Sequence, residues 1–178
     1  MTDSISPKGI CLFLIKMDQN KSHYLLLRRS NLQEVKNIII EKFSEAAFLK
    51  VLKDVGHLQG TWQMISGKIN AEETASEAAL RELFEETGIV PDKFYSADIV
   101  ETFYSLSSNK IEFVPVFVGI IYTNPEIKLC AYEHDTYQWL PFEQARDKLV
   151  WSEQKRSITH IDYNFVHNKP LSSLEVNL

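Results

Sequence analysis

The segment at residues 67–89, GKINAEETASEAALRELFEETGI, constrains the fold of this chain more than any other stretch. Thr74 and Glu77 fit a capping box, in which a hydroxyl and a carboxylate three residues apart bond each other's backbone N–H. Gly88 fits the position just after a helix end, where a left-handed backbone suits glycine. The segment therefore predicts a helix whose two ends are both marked by residue type.

The predicted helix carries three carboxylates on one face. On a wheel of about 100° per residue, Glu85 and Glu86 lie within roughly 60° of Glu82, on either side of it. Toward the N-terminus this face continues with small side chains that leave room for a loop or ligand, namely Ala75, Ala78 and Ala79. The opposite face carries larger apolar side chains and is predicted to pack in the core: Leu80, Leu83 and Phe84.

These carboxylates stand where the helix dipole disfavours them. Negative charges in the last turns face the negative helix end and repel one another, each effect costing about 0.3–1 kcal/mol. A solvated acidic face is the ordinary explanation, but the clustering favours a compensating cation. Mg²⁺ prefers carboxylate oxygens and bridges to phosphates. The pattern therefore predicts a site for Mg²⁺, with Mn²⁺ as a substitute, that binds a phosphorylated ligand.

Bulk composition limits the other functional classes. The chain has 178 residues, 44% of them hydrophobic, which suits a single domain over residues 1–178. A net charge of -5 makes nucleic acid or an anionic membrane an unexpected partner. Cys11 and Cys130 fit neither a disulfide framework nor a zinc site, and neither an export signal nor a membrane-length apolar run is evident. We expect a cytoplasmic protein with reduced thiols.

The remaining sequence alternates between strand-like and helix-like patterns. Two β-rich hairpins and further extended runs interleave with helical segments, which predicts an α/β fold with a mixed sheet covered by helices on both faces. The predicted extended runs are 9–17, 23–30, 61–67, 98–106, 111–122 and 136–142, and the predicted helical ones are 31–60 in one or two pieces, 142–148 and 152–166.

The spacing within residues 67–89 resembles the signature of the Nudix hydrolase family. Gly67, five residues, Glu73, seven residues and then RELFEETGI match every specified position of that signature. We refer to residues 67–89 as the Nudix box. The resemblance extends to the LLLRRS strand, to W-Q before the box and to EHDTYQWL, and so covers most of residues 9–166. It implies the Nudix fold, a mixed β-sheet sandwiched between α-helices, with residues 31–60 as a helical insertion before the box.

The resemblance also implies roles for individual residues. Family members cleave a pyrophosphate bond with divalent metals held by the box carboxylates. The implied metal ligands are Glu85, Glu86, Glu82 and the carbonyl of Gly67, with Glu133 as a further ligand; Glu82 or Glu133 is the catalytic base; and Glu73 and Arg81 brace the loop and helix. His134 is either a partner of these groups or a structural residue.

Residues that contact substrate are less strongly indicated. Arg28 and Arg29 point in opposite directions if their segment is a strand, and the resemblance favours Arg28. TWQMISGKI and VWSEQKRSI look like the bacterial dihydroneopterin triphosphate pyrophosphatase and dATP pyrophosphohydrolase group. This likeness suggests Ser66 and Ser152 as substrate contacts, with turn or helix-cap roles as the structural alternative.

The chain departs from the family pattern in two places. Asn70 and Glu72 stand where many members have an acid and a glycine. The 31–60 insertion is longer than the usual connection, and could cover the nucleotide site or form a homodimer interface.

The expected function is Mg²⁺-dependent hydrolysis of a nucleoside or pterin triphosphate to a monophosphate and pyrophosphate. The alternatives are hydrolysis of dinucleoside polyphosphates, nucleotide sugars or capped RNA ends, and a non-enzymatic nucleotide-sensing module.

Overall fold

The computed structural model describes residues 6–19, 21–106 and 108–178, with the backbone alone at 54 and 55. Strands and helices interleave along the described chain, as the sequence predicts. The strands are β1 Gly9–Asp18, β2 Lys21–Arg29, β3 Trp62–Gln63, β4 Ile65–Lys68, β5 Lys93–Ser105, β6 Lys110–Ile121 and β7 His134–Leu140. The helices are α1 Leu32–Lys42, α2 Glu45–Val55, α3 Ala75–Thr87, α4 Phe142–Lys148 and α5 Ser152–Ile161, with a π-helical turn at Asp162–His167.

In the described part of the chain, seven strands form one mixed sheet. Its main path runs β3-β2-β1-β6-β5, while β4 pairs with β1 and β7 pairs with β2. The pairing of β1 with β6 is parallel, whereas the other strand pairs are antiparallel. Because β2 pairs with both β3 and β7, the end of β2 lies beside the start of the box and beside the segment that carries Glu133.

Helices cover both faces of the sheet, because the strands bury alternate residues on opposite sides. Tyr24 and Leu26 of β2 belong to a core cluster that includes Ile158 of α5. Leu25 and Leu27 belong to a second cluster that includes side chains of α3. This arrangement confirms the predicted fold class, a mixed sheet sandwiched between α-helices.

The insertion is helical in two pieces. Asn31 caps α1 by accepting from the Gln33 N–H at 3.1 Å, and Ser44 caps α2 by accepting from the Ala47 N–H at 3.1 Å. The helices bury a small core of their own, formed by Leu32, Val35, Ile39 and Phe48. The predicted helical insertion is therefore confirmed.

The predicted orientation of α3 is wrong at several positions. Ala78 and Ala79 are fully buried in the core, so they do not form an open face beneath a ligand. Phe84, expected in the core, has 58% of its surface exposed. A helical wheel gives the angles between side chains, but the packing of the sheet decides which arc is buried.

Within the described ranges, no helix is both long and apolar enough to cross a membrane.

Candidate active site

Helix α3 begins and ends where the sequence predicts. The Thr74 N–H donates to the Glu77 carboxylate at 2.8 Å, and the Glu77 N–H donates to the Thr74 hydroxyl at 3.3 Å, which completes the capping box. Gly88 ends the helix with φ 72°, in the left-handed region. These caps fix the register of the acidic residues relative to the sheet.

Gly67 allows the α3 carboxylate Glu82 to approach the β4 backbone. A Cβ atom at position 67 would lie 1.9 Å from Cδ and 2.1 Å from Oε1 of Glu82, far inside van der Waals contact. The box glycine is therefore required by space, since its φ lies outside the left-handed region.

Arg81 joins the box loop to the acidic face of α3. Its Nε donates to Glu73 at 2.8 Å and its Nη2 to the Lys68 carbonyl at 2.8 Å. Its Nη1 also donates to Glu82 at 2.9 Å and to Glu85 at 3.1 Å. The hydrogen bonds from Arg81 hold the pKa of Glu73 below its ordinary value. This geometry supports the predicted bracing role of Glu73 and Arg81.

Glu72, one of the departures from the family pattern, lies in the loop before α3. Glu72 has φ 68°, a left-handed backbone conformation that a glycine adopts more easily. The substitution therefore keeps the turn and places mild strain in it.

Glu86 is an unusual carboxylate because it is both buried and unpaired. It is 1% exposed, and neither of its oxygens has a hydrogen-bond partner among the described residues. Burial raises its pKa well above the ordinary value, and the nearby negative charge of Glu133 raises it further. The charge of Arg29 and the Ser66 backbone N–H, which lies outside hydrogen-bond geometry, oppose the shift. The two carboxylate oxygens of Glu86 therefore lack the direct contact with a positive group that a buried charge requires.

The negative charges of Glu133 and Glu82 each raise the pKa of Glu86. Burial raises the pKa of both, as the largest cause in each case. The negative charge of Glu133 adds to the shift at Glu82, while Arg29 lowers the pKa of Glu133. Glu85 is more open, with 57% of its side chain exposed.

Neutral His134 lies behind Glu86. Burial, aided by the positive charge of Arg29, lowers the pKa of His134 to about 3. Its Nδ1 is 3.7 Å from Oε2 of Glu86, and its Nε2 is 3.2 Å from Nε2 of Gln63. Because an amide nitrogen can only donate, His134 Nε2 accepts and Nδ1 carries the proton toward Glu86.

A cavity of about 490 Å³ opens beside the acids. Four parts of the chain line it: the end of β2, the insertion, β4 with the box helix α3, and the segment that carries Glu133. The lining residues are Arg29, Ser30, Leu32, Ile39, Phe43, Ala47, Val51, Gln59, Ser66, Gly67, Lys68, Glu82, Tyr132 and Glu133.

The structure places the two candidate arginines differently from the prediction. Arg29 lines the cavity, whereas Arg28 is 43% exposed and pairs with Asp135 at 2.8 Å. The pairing of β2 with β7 shifts register between these two residues, which interrupts the regular alternation of the strand. The cavity lining therefore includes Arg29, which the sequence did not favour, and does not include Arg28, which it did.

The two candidate serines also separate. Ser66 lines the cavity beside Gly67. Ser152 is exposed at the start of α5, a helix that packs on the other face of the sheet, and it is not among the lining residues. A substrate contact by Ser152 therefore finds no support in this geometry.

The acids offer a divalent cation suitable oxygen donors. Within residues 6–19, 21–106 and 108–178, no three His, Cys, Asp or Glu side chains converge on one point, and Glu82 and Glu85 instead turn to Arg81. The orphaned oxygens of Glu86, and the Glu82 carboxylate that lies against the Gly67 backbone, are nevertheless the oxygen donors that suit an ion such as Mg²⁺. A bound ion would compete with Arg81 for two carboxylates.

Comparison with known sequences agrees with this geometry. The profile of the NUDIX domain matches residues 9–161, which include the sheet, the box and Glu133. The chain belongs to the Nudix family. It is a pyrophosphohydrolase of the class that acts on phosphorus-containing acid anhydrides. A search of curated protein sequences gave no match.

Solved structures share the fold at low sequence identity. A C. elegans Ap4A hydrolase in a binary complex matches with TM-score 0.65 and 18% identity, over 91% of this chain and 99% of that one. The E. coli dihydroneopterin triphosphate pyrophosphohydrolase matches with TM-score 0.62 and 17% identity, over 90% and 99%. The NUDIX domain of Shewanella oneidensis NrtR, complexed with ADP ribose, matches with TM-score 0.63 and 13% identity, over 91% and 90%.

Proposed function

We propose that this Nudix enzyme hydrolyses a pyrophosphate bond of a nucleoside or pterin triphosphate, with Mg²⁺ or Mn²⁺ as cofactor, and releases a monophosphate and pyrophosphate. One observation carries the proposal. The carboxylate of Glu86 is buried without a hydrogen-bond partner among the described residues, and it feels the charges of Glu82 and Glu133, whose pKa values are also raised. Arg81 is the cation that contacts Glu82 and Glu85, and no cation contacts Glu86 directly, so the cluster suits a further positive charge such as a bound metal ion.

The acids and one backbone oxygen would hold the cofactor. The proposed donors are Glu82, Glu85, Glu86, Glu133 and the carbonyl of Gly67. When bound there, Mg²⁺ would neutralise phosphate oxygens and polarise the phosphorus that is attacked. Arg81 would remain on Glu73 and the Lys68 carbonyl, and so would keep the loop and helix in register as Glu82 and Glu85 turn away from it.

The base is drawn from the acids whose pKa is raised. A carboxylate accepts a proton from water more effectively as its pKa approaches the working pH. Glu133 and Glu82 both line the cavity, and burial raises the pKa of each. Either can take the proton of the attacking water at the edge of the cavity, while the other remains a donor for the metal cofactor.

Arg29 is the proposed phosphate contact in place of Arg28. It lines the cavity, and its buried Nε has no hydrogen-bond partner among the described residues. A guanidinium with free donors pairs well with phosphate oxygens. Ser66 stands next to the box glycine in the same lining, where its hydroxyl can contact the ligand.

A second substrate class is supported by structural likeness. The C. elegans relative is an Ap4A hydrolase, whereas the E. coli relative acts on dihydroneopterin triphosphate. Dinucleoside polyphosphates are therefore the alternative substrates. We further propose that the enzyme works in the cytoplasm, since Cys11 and Cys130 are free thiols that suit a reducing compartment.

Product analysis separates these routes. The protein is incubated with Mg²⁺ and separate samples of nucleoside triphosphates, dihydroneopterin triphosphate, diadenosine polyphosphates and nucleotide sugars, and products are identified by mass spectrometry. Release of pyrophosphate and a monophosphate from a triphosphate supports the proposal. Two nucleotides from one diadenosine compound, with the triphosphates intact, would replace it by the alternative. Ligand binding without turnover of any compound would favour a sensing module.

A further inference from the structure

The insertion supplies the apolar half of the cavity. Six of the lining residues come from the 31–60 segment, and five of these six are apolar: Leu32, Ile39, Phe43, Ala47 and Val51, with Gln59 as the polar member. The other lining residues include all of the charged ones, Arg29, Lys68, Glu82 and Glu133. One cavity thus has a charged end made by the box and an apolar end made by the insertion.

An aromatic pair joins the two ends. The rings of Phe43 and Tyr132 are 5.6 Å apart and meet edge to face at 82°. Tyr132 immediately precedes Glu133 in the chain, and both line the cavity. The Lys42 ammonium lies 4.6 Å from the centre of the Tyr132 ring. An apolar group held by this pair would therefore be close to the carboxylates.

The insertion is fixed to the strand that carries Arg29. The Gly60 N–H donates to the Arg29 carbonyl at 3.0 Å, and the Arg29 N–H donates to the Thr61 carbonyl at 3.0 Å. At the other end of the segment, the Leu32 N–H donates to Oε1 of Gln59 at 2.9 Å. The apolar lining residues of the insertion, which we call the apolar wall, are thus held in a fixed position relative to Arg29, as a specificity site requires.

The shape and lining of the cavity select the chemistry of its occupant. Its volume of about 490 Å³ lies within the roughly 300–1,000 Å³ range of small-ligand sites. The phosphates suit the part of the lining that holds Arg29, Lys68 and the proposed metal-binding acids. The residues of the insertion instead offer aliphatic and aromatic surface. A second sugar would leave hydroxyl groups unpaired against that surface, which is costly, whereas a flat heteroaromatic ring would not.

We propose that the 31–60 insertion is the recognition wall for the heteroaromatic ring of the substrate, a nucleobase or a pterin, with Phe43 and Tyr132 as its aromatic contacts. This inference rests on the proposed function, because the phosphates of the same molecule occupy the acidic end. Specificity then resides in the insertion, outside the box that performs the chemistry.

Calorimetric binding measurements test the wall without relying on turnover. Wild-type protein with Mg²⁺ is titrated with the α,β-methylene analogues of ATP, GTP, UTP and neopterin triphosphate, and with inorganic tripolyphosphate. We expect at least one ring-bearing ligand to bind at least about tenfold more tightly than tripolyphosphate. Phe43→Ala should reduce that preference about tenfold and leave the Kd of tripolyphosphate unchanged.

Two further variants complete the test. Ala47→Trp fills the cavity and should remove the ring preference, while Leu49→Ala is the matched control, since Leu49 is 57% exposed and does not line the cavity. Unchanged preference in both Phe43→Ala and Ala47→Trp would overturn the inference. Equal affinity of wild type for all ligands would overturn it and leave the phosphate site standing. If no ligand bound, the proposed function would fail with it.

Discussion

Glu86 and His134 face each other in the interior as an incomplete pair, with Oε2 of Glu86 3.7 Å from Nδ1 of His134. Both residues are at most 1% exposed, and neither atom has a hydrogen-bond partner among the described residues. Because the pKa of His134 is about 3, the imidazole stays neutral and leaves the carboxylate without a positive neighbour in direct contact. This relationship makes Glu86 costly to the metal-free fold.

Removing that charge should stabilise the metal-free protein. A carboxyl whose folded pKa is raised binds its proton more tightly in the folded state, so stability falls as pH rises above the unfolded value. We expect Glu86→Gln to raise the free energy of unfolding by roughly 1–3 kcal/mol at pH 7 in EDTA, measured by urea denaturation.

The exposed neighbour Glu85 provides the control. Glu85→Gln should change stability little in EDTA, since this side chain is 57% exposed. Added Mg²⁺ should raise the Tm of wild type and raise that of Glu86→Gln much less. A Glu86→Gln protein that is less stable than wild type in EDTA would show that the buried carboxylate already has a partner.

The contact between Gly67 and Glu82 predicts a severe effect from a single methyl group. Gly67→Ala must displace the Glu82 carboxylate or the β4 backbone, because the added Cβ would lie 1.9 Å from Glu82 Cδ. We expect a loss of about 100-fold or more in kcat on the substrate identified by product analysis. Gly56→Ala is the control, since its Cβ would meet flexible side chains, Leu52 at 3.2 Å and the Gln59 Nε2 at an ordinary 3.9 Å. Equal activity of the two variants would remove Glu82 from the site.

The two arginines at the end of β2 should behave differently. Arg29→Ala removes a cation from the cavity and should raise KM at least about tenfold. Its positive charge also lowers the pKa of Glu133, so the variant should move the acidic limb of the pH–rate profile to higher pH if Glu133 is the base. Arg28→Ala breaks an exposed ion pair with Asp135 and should change KM less than about threefold. The reverse order would restore the prediction made from the sequence.

A second buried carboxylate, Glu101, which does not line the cavity, predicts a pH dependence of stability. Glu101 is 3% exposed, accepts from the Ser157 hydroxyl at 2.8 Å and contacts the Cys11 thiol at 3.6 Å. Burial raises its pKa, so the folded state keeps a proton that the unfolded state has lost. Stability should therefore decline from about pH 4.5 upward, through the folded pKa.

Glu101→Gln separates this contribution from that of the active-site acids. The amide cannot ionise, and its oxygen can still accept from Ser157. We expect the variant to lose less stability than wild type between pH 5 and pH 8, as measured by urea denaturation in EDTA. If the difference between the two proteins stays constant with pH, Glu101 does not titrate in this range.

The parts of the site that are local in sequence could be predicted. Thr74 and Glu77 form the N-terminal cap of α3 and Gly88 the C-terminal cap, so residue type alone marks both ends. The spacing of Glu82, Glu85 and Glu86 in the sequence fixes the angles between these side chains on the helix. The fold class follows for a similar reason, since alternation in the strands reports burial on two faces.

The parts of the site that depend on contacts between distant residues could not be predicted from the sequence. Arg29 faces the cavity because pairing with β7 shifts register at the end of β2, and β7 lies about a hundred residues away in the chain. Ala78 is buried because the sheet covers it, whatever its position on a wheel. The role of the insertion in the cavity depends on how its helices rest beside Tyr132, which no local pattern encodes.

The dependence of hydrolysis on both Mg²⁺ and the box acids is the most direct test. Phosphorus NMR would follow each candidate anhydride with wild-type protein in Mg²⁺, with wild type in EDTA, and with Glu85→Gln in Mg²⁺. We expect wild type in Mg²⁺ to convert at least one compound into two phosphorylated products in equal amounts, EDTA to stop the reaction, and Glu85→Gln to retain about 1% of the rate or less. Intact substrates throughout, or equal rates with and without the metal, would contradict a metal-dependent pyrophosphohydrolase built on Glu82, Glu85 and Glu86.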